Sequence, residues 1–347
     1  AGACLLAALS GCSSDGYNDS ALAARVAALE GQTPTDLSAL QSSVTALKAD
    51  VAALQAQNTA LKTDLGTATA DVNTLKKNAA GLWIAADTTW TAGPTGDYST
   101  LQEALTALST RRILPSAKLT ISLEDGAHAF AAPVELGHPD GQRVEIVGSG
   151  SGKVTLSFTG DAYLAVTTGS GLGLLKGVTL DGNMKAATGD GLKVGEGAKL
   201  YVDDIVVKDF ALLGVRVERG AQLAAKGLGA VTCSGNGHEG LQAAYHARVI
   251  LPGVTLTNNG WGGARIDQNS YGWLPGAVVV GPGTGIMSIN GSFANAEGAT
   301  ATGPADGGGF ISQGFSVLQC KSCSATGYSA GSGFLVTTFG YLYAPSS

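Results

Sequence analysis

Gly191-Leu192-Lys193-Val194 is followed 23 residues later by Gly214-Val215-Arg216-Val217, and the same pattern runs through the second half of this chain. It consists of a glycine, an apolar residue, any residue and a second apolar residue, most often valine. The further copies are Gly240-Leu241-Gln242-Ala243, Gly263-Ala264-Arg265-Ile266 and Gly333-Phe334-Leu335-Val336. A period of about 20–50 residues indicates a solenoid, because a single unit is too small to bury its own apolar face.

Each repeat has the sequence pattern of β-strands. Apolar residues alternate with polar ones between Val194 and Val207, which is the period of two typical of half-buried strands. Turn sequences follow the apolar runs at Asp181-Gly182-Asn183, Ser234-Gly235-Asn236-Gly237 and Asn258-Asn259-Gly260. Stacked asparagine side chains at such corners can hydrogen-bond to neighbouring coils. The sequence therefore predicts a right-handed parallel β-helix of roughly seven to nine coils, from about residue 115 to 347.

A short helix and two strands precede these repeats. Residues 97–105 have the pattern of a capped helix, with Ser99 and Gln102 at capping-box spacing. A strand that ends in Asp125-Gly126 follows, and then a second strand over residues 144–148. This order resembles the opening of the pectin-lyase-like superfamily, which includes pectinesterases, polysaccharide lyases and phage tailspikes.

The resemblance implies a β-helix domain over residues 83–347, with a capping helix at its start. Its motifs belong to the architecture and not to a particular activity. Three prolines interrupt the repeat, so the pattern leaves the coil register open between residues 267 and 308; they are Pro275, Pro282 and Pro304.

The first third of the chain has a different period. Residues 37–82 hold six heptads, with position a at Leu37, Val44, Val51, Asn58, Leu65, Val72 and Ala79, and position d at Leu40, Leu47, Leu54, Leu61, Ala68, Leu75 and Leu82. This spacing predicts a coiled-coil stalk. Asn58 favours two strands, whereas stalks of tailspike-like solenoids are trimeric, so the resemblance implies a homotrimer. A long helix folded back on its own domain is the alternative.

The first residues contain a motif that bears on location. Leu9-Ser10-Gly11-Cys12, preceded by apolar residues 5–8, resembles the lipobox of bacterial lipoproteins. The resemblance implies that residues 1–11 end a signal peptide and that Cys12 carries a lipid. The protein would then lie on the bacterial cell envelope, at the outer membrane or the cell surface. An apolar segment that merely contains a cysteine is the alternative.

Residues 12–36 are predicted to form a lipidated tether with a short helix. The sequence Gly31-Gln32-Thr33-Pro34 breaks this helix before the stalk begins. No run of about 18 apolar residues follows, so no membrane-spanning helix is predicted.

The composition argues against several partners and cofactors. The net charge is −6 and there is no basic run, which disfavours nucleic acid and an anionic membrane surface as partners. No strong electrostatic attraction for acidic polysaccharides is expected either. The four histidines show no ligand spacing, so neither a metal nor another cofactor is predicted. Cys320 and Cys323 are interpreted as a local disulfide or as two core thiols, and Cys233 as part of the interior stack.

Acidic residues are the candidates for catalysis. Enzymes of this superfamily place acids, alone or with arginine or lysine, on one strand face across neighbouring coils. The acids in question are Asp181, Asp203, Asp204, Asp209, Glu218 and Asp267, and the nearby arginines are Arg216, Arg219 and Arg265. The catalytic candidates are Asp181, Asp209 and Asp267, of which the first two fall at nearly equivalent corners, about 5–10 Å apart. Solvated corner acids explain the same residues, and pectinesterase motifs are missing, so the fold carries no activity across.

An aromatic group offers a surface for binding. Trp261, Tyr271 and Trp273 fall within thirteen residues, beside Arg265 and Asp267. Aromatic rings stack on sugar faces, while polar neighbours bond to sugar hydroxyls; the same rings can instead cover a solenoid edge or an oligomer contact. We predict an adhesin or glycan-binding head without turnover. The alternatives are a polysaccharide lyase or other depolymerase, and a purely structural spacer.

Overall fold

The computed structural model describes residues 19–30, 37–167, 171–184, 186–303, 307–328 and 333–343. The chain divides into two compact units, Ala1–Lys76 and Lys77–Ser347. The predicted lipobox with Cys12, and the predicted helix break at Gly31–Pro34, lie outside the described residues.

The described residues of the first unit form helices, and the second of these helices continues into the second unit. Helix α1 spans Asp19–Glu30, and α2 spans Leu37–Leu82, so that α2 covers the 46 residues of the predicted heptads. The heptad leucines and valines are exposed on the single chain by 36–69%; they are Leu37, Leu40, Val44, Leu47, Val51, Leu54, Leu61, Leu65, Val72, Leu75 and Leu82. In the part of the chain that the structure describes, no helix has both the length and the apolar character needed to cross a membrane.

The second unit begins with a cap. A two-stranded parallel sheet pairs Trp83–Ile84 with Arg112–Ile113, and helix α3, Leu101–Ser109, lies between them in sequence and buries one face. The predicted capping box is shifted by one residue. Thr100, not Ser99, is the N-cap and accepts the Glu103 N–H at 3.1 Å, while the Glu103 carboxylate accepts from the N–H and hydroxyl of Ser99. Glu103, and not Gln102, is therefore the N3 residue whose side chain completes the capping box.

The prediction of a parallel β-helix is confirmed, because strands of successive coils pair in parallel on three faces. Face 1 contains Thr88–Ala92, Leu119–Leu123, Val144–Val147, Gln222–Ala225, Arg248–Ile250, Tyr271–Trp273, Phe293–Asn295, Val317–Gln319 and Tyr341–Tyr343. Face 2 contains Gly126–Phe130, Val154–Phe158, Val231–Ser234, Thr255–Thr257, Val278–Val280, Thr300–Thr302 and Ser324–Thr326. Two long strands, Gly171–Asp181 and Lys199–Lys208, bend from face 1 into face 2.

Face 3 is a separate sheet. Among the described residues it has nine strands in chain order: Val134–Leu136, Leu164–Val166, Leu192–Val194, Val215–Glu218, Glu239–Ala244, Gly262–Ile266, Thr284–Ile289, Phe310–Gln313 and Phe334–Thr337. The repeated glycine motifs lie at the start of these strands. Each coil therefore runs from face 3 to face 1 and then to face 2. A 3-10 turn, Gly141–Arg143, precedes the third strand of face 1.

The core is a set of ladders that run along the solenoid. On face 3, Leu192, Val215 and Leu241 are paired in register and fully buried, and the next coils continue the ladder with Ala264 and Ile286. Alternate residues of the same strands point outward, as the period of two predicts. The buried apolar residues are nearly continuous from the cap to the last coils, which supplies the main stabilisation of a solenoid.

The coil register between 267 and 308 is regular despite the prolines. Pro275 and Pro282 lie in turns between paired strands, where their missing N–H breaks no ladder hydrogen bond. Pro304 lies outside the described residues.

Asparagine stacking is confirmed at the corner between faces 2 and 3. The side-chain Nδ2 of Asn236 donates to Oδ1 of Asn259 on the next coil at 2.9 Å, and both residues are buried. Cys233, just before this corner, stacks in the interior between Val207 and Leu256. Burial raises the pKa of its thiol to about 12, so it is an inert core residue.

A disulfide joins Cys320 and Cys323, with their Cα atoms 5.4 Å apart. It closes the corner between faces 1 and 2 in one of the last coils. The same corner in the two preceding coils has a glycine with positive φ, Gly276 at 67° and Gly298 at 69°, whereas here Ser322 adopts a φ of 56°. The disulfide thus holds a corner where a side chain occupies a conformation that favours glycine.

Candidate functional site

Two strands of face 3 present the same pair of outward side chains. In each, an arginine precedes an acid by two residues, which places both on one side of the strand. Arg216 Nε donates to Glu218 Oε2 at 3.0 Å, and Arg265 Nη2 donates to Asp267 Oδ2 at 2.8 Å. The sequence signal for this pair is the repeat of Gly-Val-Arg-Val-Glu at 214–218 and Gly-Ala-Arg-Ile-Asp at 263–267.

Each arginine also pairs with an acid at the start of the preceding face 3 strand. Arg216 Nη1 lies 3.4 Å from Asp190 Oδ2, and Arg265 Nη1 lies 3.8 Å from Glu239 Oε1. Asp190, Glu239 and Asp267 are buried, whereas the side chains of Arg216 and Arg265 are about one-third exposed. The acids therefore hold the guanidinium groups in place and leave some of their N–H donors at the surface.

Further polar groups complete this network. Asn290 Nδ2 donates to Asp267 Oδ1 at 2.7 Å, and Lys193 Nζ lies 3.8 Å from Asp190 Oδ2. Gln242 lies between Arg216 and Arg265 in the same outward column. The cations are balanced by acids, so this part of face 3 offers directed hydrogen bonds but little excess charge. Such a surface suits neutral hydroxyl groups.

Trp261 lies at the edge of this network. Its side chain is 59% exposed, and one face of the indole stacks on the imidazole of His238 from the preceding coil, with ring centroids 4.0 Å apart and planes 9° apart. The strand register places Gly283 at the same position of the next coil. Since glycine has no side chain, that coil contributes none to the other face of the indole. A Cβ at Gly283 would overlap the Trp261 carbonyl oxygen, so the close approach requires glycine.

The structure splits the predicted aromatic group between two faces. Trp261, Arg265 and Asp267 lie on face 3, whereas Tyr271 and Trp273 point outward from face 1. The separation arises at the corner between them, where Gln268 and Asn269 adopt positive φ and turn the chain. Nearness in sequence did not predict nearness in space for these aromatic residues, because a coil changes face within a few residues.

Tyr271 and Trp273 belong to a second aromatic group on the outside of face 1. The Tyr271 ring stacks on Phe293 of the next coil at 5.5 Å, and the Arg248 guanidinium lies 5.5 Å above the Tyr271 ring. The stacked rings cover each other's faces, so they expose mainly edges. Covering the sheet is therefore the better explanation for Tyr271, in contrast to Trp261.

The acids proposed as catalytic candidates fall at two separate places. Asp181 and Asp209 meet at the end of face 2, where Lys208 Nζ lies 2.6 Å from Asp181 Oδ2 and 3.1 Å from Asp209 Oδ2. Burial works to lower the pKa of Lys208, but its hydrogen bonds with the two carboxylates outweigh this effect and leave the pKa above its ordinary value. Asp267 lies on face 3 in the arginine network and is not part of this group.

The remaining acids and arginine of the sequence prediction are also in pairs. Asp203 accepts from the Gly229 N–H and pairs with Lys176, and its hydrogen bond with Lys176 lowers its pKa, while burial works the other way. Asp204 turns away to Ser151, and Arg219 pairs with Glu196 at an exposed corner. Among the described residues no group of three or more histidine, cysteine, aspartate or glutamate side chains is placed to hold a metal ion.

Sequence reasoning missed His238, Glu239 and Asp190 as members of the face 3 site. Their positions follow from pairing between coils whose lengths differ, and a single-sequence pattern does not give that pairing. The signal that was present, the repeated arginine and acid, marks only the outward pairs of two strands.

Comparison with known proteins shows the fold class, a parallel β-helix protein, and not a family. The chain matches no protein-family model and no curated protein. In structure it is similar to the ORF18 protein of Geobacillus virus E2, with a TM-score of 0.52 and 12% identity over 81% of this chain. The chain spans 64% of the length of that viral protein. At this identity the similarity concerns the fold alone.

Two other solved structures are more distant. The Dettilon tailspike protein gp208 has a TM-score of 0.39 and 12% identity, covering 70% of this chain and 53% of its own. The PL6 family alginate lyase AlyGC has a TM-score of 0.40 and 14% identity, covering 72% of this chain and 40% of its own.

Proposed function

We propose that the β-helix head binds a glycan on face 3, without turnover, and that Trp261 is the stacking platform. The observation that supports this most directly is the indole fixed against His238 with its other face toward Gly283. A sugar ring that stacks on this open face lies beside the Arg265 network, whose donors can bond to hydroxyls. A rigid aromatic surface next to fixed polar groups loses little conformational entropy on binding.

The pairing of the acids supports binding without turnover. Glycoside hydrolysis requires one carboxylic acid that is protonated and able to donate. A carboxylate held in an ion pair directs its oxygen atoms at the cation and not at a substrate. Lys208 lies between Asp181 and Asp209, and Arg265 holds both Glu239 and Asp267, so each of these acids has a cation as its partner.

The stalk and the anchor complete the proposal. The exposed apolar stripe of α2 is proposed to associate with the same stripe of two further copies, giving a homotrimer through a coiled coil. Cys12 is proposed as the lipidated residue that places the protein on the bacterial envelope, at the outer membrane or the cell surface. Several heads on one stalk suit an adhesin, because linked binding sites gain apparent affinity.

The test uses the full chain with Cys12→Ser on a broad panel of polysaccharides. Retention of the protein and the appearance of new reducing or unsaturated ends are scored together. We expect retention without new ends, roughly tenfold weaker for Trp261→Ala because a sugar–aromatic stack is lost. Trp273→Ala is the matched control, since this tryptophan lies on face 1, and its retention should be unchanged.

Three outcomes separate the candidate functions. New chain ends would show an enzyme, and Glu239→Gln and Asp267→Asn would then be examined, because both carboxylates contact Arg265 beside the platform. Equal losses in Trp261→Ala and Trp273→Ala would contradict the assignment to face 3. No retention of the wild-type protein on any glycan would favour a structural spacer.

A further inference from the structure

Face 1 has a group of lysines near the start of the solenoid. These lysines outnumber the carboxylates that contact them, although the whole chain is acidic. The group, here called the lysine cluster, consists of Lys118, Lys176, Lys199 and Lys226. They lie in or next to the face 1 strands of four coils, and Glu145 lies on the strand of the coil between Lys118 and Lys176. Only two carboxylates contact these lysines within 4.0 Å among the described residues, those of Glu145 and Asp203. At a strand spacing of about 4.8 Å the cluster is roughly 20 Å long.

Glu145 fixes two of the lysines side by side. Lys118 Nζ lies 3.0 Å from its Oε2 atom, and Lys226 Nζ lies 3.4 Å from its Oε1 atom. The Glu145 side chain is 14% exposed, whereas both lysine side chains are about half exposed. Burial works to raise the pKa of the Glu145 carboxyl, but its ion pairs outweigh this effect and lower the pKa. The carboxylate therefore stays charged and holds two ammonium groups that would otherwise repel each other.

The Tyr201 ring lies beneath Lys199 and Lys226. The Lys199 ammonium lies 4.7 Å from the centre of the Tyr201 ring, and the Lys226 ammonium lies 5.9 Å from it. Within the described residues, Lys199 has no carboxylate within salt-bridge distance. The next residue of the Tyr201 column is Ala224, which is small and buried, so the lysine side chains stand above the sheet surface. A cation over an aromatic ring keeps its remaining N–H donors free.

We propose that the lysine cluster and Tyr201 bind an oxyanion carried by a glycan, a carboxylate or a sulfate group, so that the ligand of the head is an acidic polysaccharide. Each ammonium has three donors; Lys118 and Lys226 each direct one toward Glu145, and the others are available to the ligand. This inference rests on the proposed glycan binding, but it concerns a face different from that of Trp261. The chain as a whole carries a net charge of −6, so we expect polyanions to bind at the cluster, where the lysines outnumber the carboxylates.

The experiment compares three polymers with one backbone: dextran, carboxymethyl-dextran and dextran sulfate. The full chain with Cys12→Ser is tested as such and with Lys199→Gln and Lys226→Gln. The matched control carries Lys62→Gln and Lys321→Gln, which lowers the charge equally on the stalk and at an exposed corner of the head. We expect the charged dextrans to bind better than dextran, and the cluster variant to lose about tenfold or more in affinity, while the control changes less than about twofold.

The two charged polymers identify the source of the oxyanion. Preference for carboxymethyl-dextran indicates a uronate-type ligand, and preference for dextran sulfate indicates a sulfated one. Added salt should weaken the binding of both, because the exposed ammonium groups are screened. Equal binding of all three polymers, or equal losses in the cluster and control variants, would overturn the proposal.

A folding defect is separated from a binding defect by a second variant. Lys199→Gln alone removes an ammonium that balances no carboxylate among the described residues, so its melting temperature should match that of the wild type and its affinity should fall severalfold. Unchanged affinity of this well-folded variant would remove Lys199 from the site. Trp261→Ala should leave the binding of charged dextrans intact. If Trp261→Ala fails to weaken the binding of any natural glycan, the face 3 platform is refuted, whereas the proposal for the lysine cluster is unaffected.

Discussion

Replacing Asn259 with leucine is expected to lower the free energy of unfolding of the head by about 3 kcal/mol. Asn259 is 2% exposed, and its Oδ1 accepts from the Asn236 N–H at 3.2 Å and from Asn236 Nδ2 at 2.9 Å. Its Nδ2 donates to the Cys233 carbonyl at 3.1 Å. Leucine has a similar volume but provides none of these bonds.

The magnitude follows from which groups lose their partners. Asn236 Nδ2 still donates to the Val207 carbonyl at 3.2 Å, so it remains partly satisfied. The Asn236 backbone N–H has Asn259 as its acceptor and is left buried without one. A buried orphan donor costs about 1–3 kcal/mol, and the two further weakened bonds contribute about 0.5–1.5 kcal/mol each. Improved apolar burial of leucine offsets part of this loss.

Urea denaturation followed by tryptophan fluorescence gives the change in unfolding free energy, and amide hydrogen exchange locates it. Because each coil contacts only its neighbours, exchange should quicken first at Asn236 and Phe210, whose N–H groups bond within this ladder. The control is Asn258→Gly at an exposed position with a φ of 53°, which should change stability by less than about 1 kcal/mol. A loss below about 1 kcal/mol in Asn259→Leu would refute the ladder as a source of stability.

Three further predictions concern the cap, the last coils and the platform. The hydrogen bond from Arg112 lowers the pKa of Asp140 to about 2, although burial opposes this effect. Asp140→Asn should therefore destabilise the cap by about 2 kcal/mol at pH 7. In thermal melts, the difference in stability from the wild type should vanish as the pH falls from about 4 to 2, because Asp140 then loses its charge in the folded protein. Ser322→Gly should raise the stability of the reduced protein by up to about 1 kcal/mol in urea titrations, because it relieves a positive φ. Gly283→Ala should weaken glycan retention as Trp261→Ala does, because its Cβ displaces the Trp261 backbone.

The fold could be predicted because the sequence contains two periodic patterns. These are the heptad of residues 37–82 and the glycine repeat. Both depend on local spacing alone. Asp181 and Asp209 both contact Lys208, because Lys208 pairs with Asp181 in the strand register and Asp209 is the next residue. The site could not be predicted in the same way, because His238 and Trp261 come into contact only through the strand register of two coils. Coils of unequal length hide such contacts from a single sequence.

The lysine cluster shows the same limit in electrostatics. Net charge predicted no attraction for acidic glycans, yet lysines spread over more than a hundred residues of sequence meet on one face. A parallel solenoid converts a residue at each period into a continuous column, so composition averages say little about any one face. The lysine cluster therefore cannot be predicted from the sequence without the strand pairing.

The stalk and the head are expected to act together in binding, and one variant tests both. Leu54→Asp with Leu61→Asp places charges in the exposed apolar stripe of α2, so a trimer should dissociate to monomers in sedimentation. If the heads bind weakly and gain by linkage, the monomer should lose roughly a hundredfold in retention on long polysaccharides but keep its affinity for short oligosaccharides. A control with Ser42→Asp, outside positions a and d, should remain trimeric. An unchanged mass would contradict the coiled coil, whereas a monomer with full retention would show that one head suffices.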